Sequence, residues 1–250
     1  MNKEEFGKSL SSNDDEILKH LPYLLQDLWE LGGRPDIQLN LIKTLDLKDI
    51  KILDLGCGKG SSLIKILKHQ TGKGVGTDIV EEFIEEARNK SVEWETDDRI
   101  EFRTEDLVET LKTEKDYDVV LYGIDSDILG TIEECFESLK QTLSNEGYII
   151  AETVYPKIET DDSMTSQKEF QRQVQKAGFV LLEEKFWDTE DIKTMNQECT
   201  VNIVKRAQEL MTKYPQEKIM FEEYINSQIE ECKELENDLH CVSVLCQLKS

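Results

Sequence analysis

Residues 52–60 read ILDLGCGKG, an apolar run and an aspartate followed by three glycines in five positions, in a chain with 13 glycines among 250 residues. A strand that ends in such a turn and opens a helix presents several backbone N–H groups, and the positive end of a helix, at one point. That chemistry receives a polar or anionic ligand. The same loop also reads as a tight turn in which glycine merely supplies positive φ. The spacing is G-x-G-x-G, with Ser61 where a dinucleotide fingerprint carries its third Gly or Ala. Asp54 stands at the strand end, where a pyrophosphate would be repelled and an amino group welcomed. No G-K-[ST] follows at the fixed offset of a P-loop.

Two more acids fall at comparable places. GVGTD brings Asp78 to the end of a second strand, where a carboxylate either takes both hydroxyls of a ribose or caps the next helix. EFRTEDL brings Asp106 to the same edge after a third strand, within reach of an adenine amino group. One loop and three acids after three successive strands describe a ligand with an amino acid end, a ribose and an adenine.

The elements that must position them follow from periodicity. Lys51–Leu55, Gly74–Thr77, Arg99–Arg103, Tyr117–Tyr122 and Gly147–Glu152 read as strands; Ser61–His69 and Glu81–Lys90 read as helices. Thr131 and Glu134 have the spacing of a capping box, which predicts a helix from Thr131 to about Leu143. Such alternation predicts a doubly wound α/β fold with a parallel sheet. FVLLEEKFW after Gly178 adds a sixth strand and CVSVLCQL a seventh. Ahead of this core, Pro22, the Gly32–Gly33 pair and Pro35 punctuate short N-terminal helices. Before the last strand, two apolar stripes, Ile192 to Leu210 and Phe221 to Leu235, meet at Pro215 and predict a two-helix insertion. The expected organisation is one domain over 1–250, with N-terminal helices at 14–46, a cofactor-binding core at 50–187, a helical cap at 188–238 and the last strand at 239–250.

The 53 acidic and 30 basic side chains give a formal charge of −23, which repels nucleic acid and anionic membrane surfaces. No apolar run reaches membrane-spanning length, and MNKEEFGKSL lacks the apolar core of a signal peptide. Six cysteines without a C-x-x-C pair, beside three histidines, offer no zinc spacing and read as reduced thiols. A cytoplasmic location, no membrane, no nucleic acid and no metal are the expectations.

From ILDLGCGKG through GVGTD, EFRTEDL and YDVVLYG to LSNEGYIIAE, about residues 50 to 155, the chain resembles the class I S-adenosylmethionine-dependent methyltransferases. More loosely, its helical additions resemble a UbiE-related group of small-molecule methyltransferases. The resemblance implies a Rossmann-like seven-stranded sheet, mostly parallel with the last strand antiparallel, and S-adenosylmethionine as cofactor. Asp54, Gly56, Cys57 and Gly58 would meet its methionine part, Asp78 and Ile79 the ribose, and Asp106 and Leu107 the adenine, with Tyr122 at the fourth strand's end. LSNEG replaces the family's proline-glycine turn, and Asn145 and Gly147 can also make a turn.

The implied activity is transfer of a methyl group to a small-molecule acceptor by in-line displacement, in a monomer or homodimer. At the switch point the loop Gly123–Gly130 carries Asp125 and Asp127, which can orient an acceptor, bind a metal or serve helix entry. Tyr23, Asp125, Tyr155 and Trp187 are the candidate acceptor contacts, against core filling for the aromatics. His20 and His240 are candidate bases, against ordinary structural roles. The catalytic residue itself is not legible. Two other functions fit the same frame: an aminopropyltransferase-like enzyme, and a noncatalytic cofactor-binding partner subunit that uses the acidic insertion as a surface.

Overall fold

The computed structural model describes residues 15–124, 127–158 and 164–249. Strands β1 (Ile50–Leu55), β2 (Gly72–Asp78), β3 (Ile100–Thr104), β4 (Tyr117–Gly123), β5 (Leu143–Pro156), β6 (Phe179–Phe186) and β7 (Leu239–Leu248) form one sheet in the order β3-β2-β1-β4-β5-β7-β6. The first five run parallel. The Trp187 N–H donates to the Cys241 carbonyl at 2.9 Å and the Lys249 N–H to the Gly178 carbonyl at 3.0 Å, so β7 runs antiparallel to β6. At its other side Lys157 N–H reaches Asp238 O at 2.8 Å and the Gln247 amide reaches the Tyr148 hydroxyl at 3.1 Å, so β7 is antiparallel to β5 as well. The expected doubly wound sheet with a reversed last strand is therefore present.

Helices α1 (Asp15–Leu18), α2 (Leu21–Leu24), α3 (Pro35–Lys43), α4 (Ser61–His69), α5 (Glu81–Glu93), α6 (Leu107–Thr113), α7 (Ile132–Lys140), α8 (Gln167–Lys176), α9 (Thr189–Lys213) and α10 (Lys218–Asn237) complete the described secondary structure, with short 3₁₀ turns at Asp127–Leu129 and Pro215–Glu217. The capping box at Thr131 and Glu134 is formed, as its spacing predicts. Helix α7 stops at Lys140, short of Leu143, because Thr142 bonds back to the Leu139 carbonyl at 2.7 Å and β5 begins at once. The LSNEG segment is a bulge within β5, with Glu146 at φ +61° and the pairing to β4 shifted between Tyr117 and Val119, and not a turn that precedes the strand.

Two compact units share the chain. The sheet unit comprises 30–153, 165–185 and 242–249, and the helical unit comprises the described parts of 1–29 and 154–164 with 186–241, all of described residues only. In the sheet unit, β1 and β4 are almost continuously buried, as central parallel strands must be. Phe136 of α7 meets Phe170 of α8 and Phe179 of β6 edge-on, at centroid distances of 6.0 and 5.2 Å. In the helical unit, α9 is capped by Asp188, whose Oδ1 accepts the Glu190 and Asp191 N–H groups at 2.8 and 3.3 Å. Ile203, Ala207 and Leu210 of α9 are buried together with Phe221 and Tyr224 of α10. Leu21 and Leu24 of α2 are buried there too, and Asp27 receives Arg206 in a two-pronged ion pair, both contacts at 2.7 Å.

Candidate cofactor site

The register of the parallel strands brings the motifs to one edge. Leu55 pairs with Thr77 on one side and with Tyr122 on the other, and Asp78 pairs with Thr104. The loop after β1, Asp78 at the end of β2, Asp106 after β3 and Tyr122 near the end of β4 therefore stand at the carboxyl ends of neighbouring strands. This is the edge at which open α/β sheets bind ligands.

The loop needs its glycines for two different reasons. Gly60, at φ +73°, is the residue before α4, and a Cβ there would lie 2.5 Å from the Phe102 ring, so the loop packs directly on β3. Gly56, at φ +69°, faces open space: nothing lies within 4 Å of where its Cβ would be. Cys57 holds the turn through its N–H to the Thr77 carbonyl at 2.9 Å, and its thiol is buried. Lys59 is buried with its ammonium 2.8 Å from Glu86, which ties the loop to α5.

Asp78 binds the loop to the second strand. Its Oδ2 accepts the Gly58 N–H at 2.8 Å and its Oδ1 the Val80 N–H at 2.9 Å just ahead of α5; the N-cap of that helix is Val80, without a side-chain cap bond, so Asp78 braces the turn and does not cap the helix. Burial pushes its carboxyl up, and the N–H groups of Val80, Gly58 and Ile79 pull it back. Ile79 is half-buried between strand and helix. Asp106 is the N-cap of α6, with Oδ1 accepting the Val108 N–H at 2.8 Å; Leu107 behind it is buried, as is Tyr122.

Asp54 is different. It is 6% exposed, and its Oδ2 is buried without a hydrogen-bond partner. Burial, then the neighbouring charges of Glu152 and Asp78, raise its carboxyl to about 8. A buried acceptor left unsatisfied costs free energy unless a ligand supplies the donor. Glu152, on β5, was not legible as a site residue. Its Oε1 accepts the Arg34 N–H at 2.9 Å and the Ser243 hydroxyl at 3.3 Å, and burial pushes it up to about 7 against the opposing pull of those bonds, the Gln38 amide and the Arg34 charge.

Three of the acceptor-side candidates share one unit. Tyr23, Tyr155 and Trp187 all belong to the helical unit. The Tyr23 hydroxyl donates to Glu209 at 2.6 Å, Tyr155 is buried edge-on to Phe186, and the Trp187 N–H is part of the β6–β7 pairing. Asp125 lies outside the described residues. His20 is buried, bonded to Glu217 at 2.8 Å and set between the rings of Tyr214 and Phe221, a structural role; His240 meets the Phe186 ring. Among the described residues, no group of three His, Cys, Asp or Glu side chains could hold a metal ion, and no helix is long and apolar enough to cross a membrane.

A family model described as a methyltransferase domain matches residues 46–200. The chain belongs to that family, built on the class I S-adenosylmethionine-dependent methyltransferase fold. Two solved structures share the fold: an S-adenosylmethionine-dependent methyltransferase from Thiobacillus denitrificans (TM-score 0.76, 17% identity, 92% of this chain and 98% of that one) and one from Geobacter sulfurreducens (0.74, 16%, 92% and 98%). Both hold S-adenosyl-L-homocysteine. The ribosomal protein L11 methyltransferase of Pasteurella multocida is 31% identical over 121 residues, 47% of this chain. That match spans only 39% of the relative's length.

The residues at the sheet edge suit the family's cofactor. The orphaned Asp54 oxygen calls for a cationic donor, and the bare face of Gly56 leaves room for a ligand against main chain.

Proposed function

We propose that the chain transfers a methyl group from S-adenosylmethionine to a small-molecule acceptor by in-line displacement. One observation carries the reading: Asp54, buried with an unpartnered oxygen directly before an open glycine loop, at the edge where the strands end. When bound, the cofactor supplies a methyl group already activated by the sulfonium charge. The chain's part is to grip and align. Asp54 takes the amino group of the methionine end, the main chain at Gly56 to Gly58 lies along that end, Asp78 with Ile79 holds the ribose, and Asp106, Leu107 and Tyr122 border the adenine. Both Asp78 oxygens already hold N–H groups, yet each keeps a second lone pair for a hydroxyl.

As acceptor, a small molecule suits the acidic surface better than nucleic acid. The reduced-thiol cysteine usage supports a cytoplasmic setting. Calorimetric titration with S-adenosylhomocysteine, followed by transfer of radiolabelled methyl into a pool of small metabolites, tests the reading. Saturable binding with label in a small product supports it. Binding without transfer to any acceptor would favour the partner-subunit function, and preference for the decarboxylated cofactor the aminopropyltransferase one.

A further inference from the structure

Resting on that reading, we propose that Gln38 and Glu152 join Asp54 to form a buried cage of oxygen acceptors for the cofactor's α-ammonium group. The motif after β1 supplies only Asp54. Gln38 comes from α3 and Glu152 from β5, both within the sheet unit.

Gln38 and Glu152 are hydrogen-bonded to each other, and the charge of Glu152 reaches Asp54. Gln38 is 5% exposed, and its amide donates to Glu152, which leaves its own Oε1 buried and without a hydrogen-bond partner. A Cβ on Gly33 would lie 3.4 Å from Glu152 Oε2, 3.5 Å from Ser62 Oγ and 3.9 Å from Gln38 Nε2, so the polar atoms converge on a position kept clear by glycine. Glu152 in turn is the first charged neighbour to raise the Asp54 carboxyl, which places the two acids in one electrostatic field. The other charges facing them are Asp78 on the Asp54 side and Arg34 on the Glu152 side, and the Arg34 guanidinium is clasped by Asp36 with two contacts of 2.9 Å.

Two orphaned buried oxygens, on Asp54 and Gln38, beside two mutually repelling carboxyls, form an incomplete polar network, and such networks are costly until completed. What completes this one must bring several N–H donors and positive charge together. A primary ammonium brings three donors and one charge in a compact head. A metal ion is the alternative cation, but the side chains do not gather as a metal-ligand set among the described residues. An amine on the acceptor has the same chemistry as the cofactor's α-amino group. The place of Asp54, immediately before the loop that lies along the methionine end, favours the cofactor.

The test compares two probes that share adenosine and a thioether and differ in the amino acid tail: S-adenosylhomocysteine and 5′-methylthioadenosine. Calorimetry on the wild type, Glu152→Gln and Gln38→Leu should show homocysteine-probe affinity falling about tenfold or more in each variant, the scale of one charge-assisted hydrogen bond, with affinity for the tailless probe within about twofold. Unchanged affinity for the tailed probe, or equal loss for both, overturns the cage. Should a variant not fold, the wild type still decides: titrations near pH 7 in buffers of different ionisation enthalpy should detect protons released on binding the tailed probe and none with the tailless one. Absence of that difference also overturns it. A wild type that binds neither probe fails at the earlier step, the cofactor reading itself.

Discussion

Asp54→Asn should make the protein more stable and a poorer binder at the same time. In the folded chain the Asp54 carboxyl titrates near 8 against an ordinary 3.8, chiefly through burial. A carboxyl raised in this way holds its proton better folded than unfolded. Stability is therefore greatest at or below the unfolded value and is lost as the pH climbs towards 8. The rise from 3.8 to about 8, at about 1.4 kcal/mol per pH unit, sets an upper bound of about 6 kcal/mol by pH 8. Relaxation and water entry reduce this, so a gain of about 2 to 3 kcal/mol for the asparagine variant is the working expectation. For a chain of this size that is about 5 to 10 °C in Tm. The assay is thermal unfolding of wild type and variant across pH 5 to 8.5, with no ligand present. The advantage of the variant should grow with pH and shrink towards pH 5. A variant equal to or less stable than wild type at pH 8 would refute the claim that the Asp54 charge is held in the apo protein at a cost.

Other consequences follow from the same geometry. Binding of S-adenosylhomocysteine should tighten from pH 6 to 8, because Asp54 and Glu152, at about 8 and 7, must shed protons to meet a cation; a flat profile in calorimetry would contradict this. Asp78→Ala should weaken the same ligand by at least about tenfold, through loss of both the ribose contact and the clasp on Gly58; unchanged affinity by titration would remove Asp78 from the site. Gly60→Ala, with its Cβ 2.5 Å from Phe102 and φ at +73°, should cost about 2 to 4 kcal/mol in urea unfolding, and a near-neutral result would mean that the loop is looser than described. Thr131→Ala removes the capping box of α7 and should lower Tm by a few degrees while leaving ligand affinity alone.

The sheet and the loop were legible because their signals are local. Helix α4 was bounded to the residue, since the glycine turn starts it and its apolar stripe runs without interruption. Helices α6 and α8 were missed for opposite reasons. The first has only seven residues, too few to show a period, and the second is polar apart from Phe170 and Val174, its two buried residues. Strand β5 reads short because its bulge at Glu146 breaks the alternation before the apolar centre. At the candidate site, Asp54, Asp78 and Asp106 are legible as candidates because each ends or follows a strand. Glu152 and Gln38 do not stand out as candidates, because a glutamate in YIIAETVYP reads as the outward face of a strand and Gln38 as the polar face of a helix. Only the parallel register, which sets Glu152 opposite Gly123 and Asp54 opposite Leu121, reveals that residues nearly a hundred positions apart share one field.

A crystal structure of the chain with S-adenosylhomocysteine bound would locate the amino end of the ligand against Asp54. The homocysteine amino nitrogen should lie within hydrogen-bond distance of Asp54 Oδ2, with the tail on the bare face of Gly56 and the ribose hydroxyls on Asp78. A complex in which the Asp54 oxygen stays buried and unbonded, with the tail held elsewhere, would contradict it.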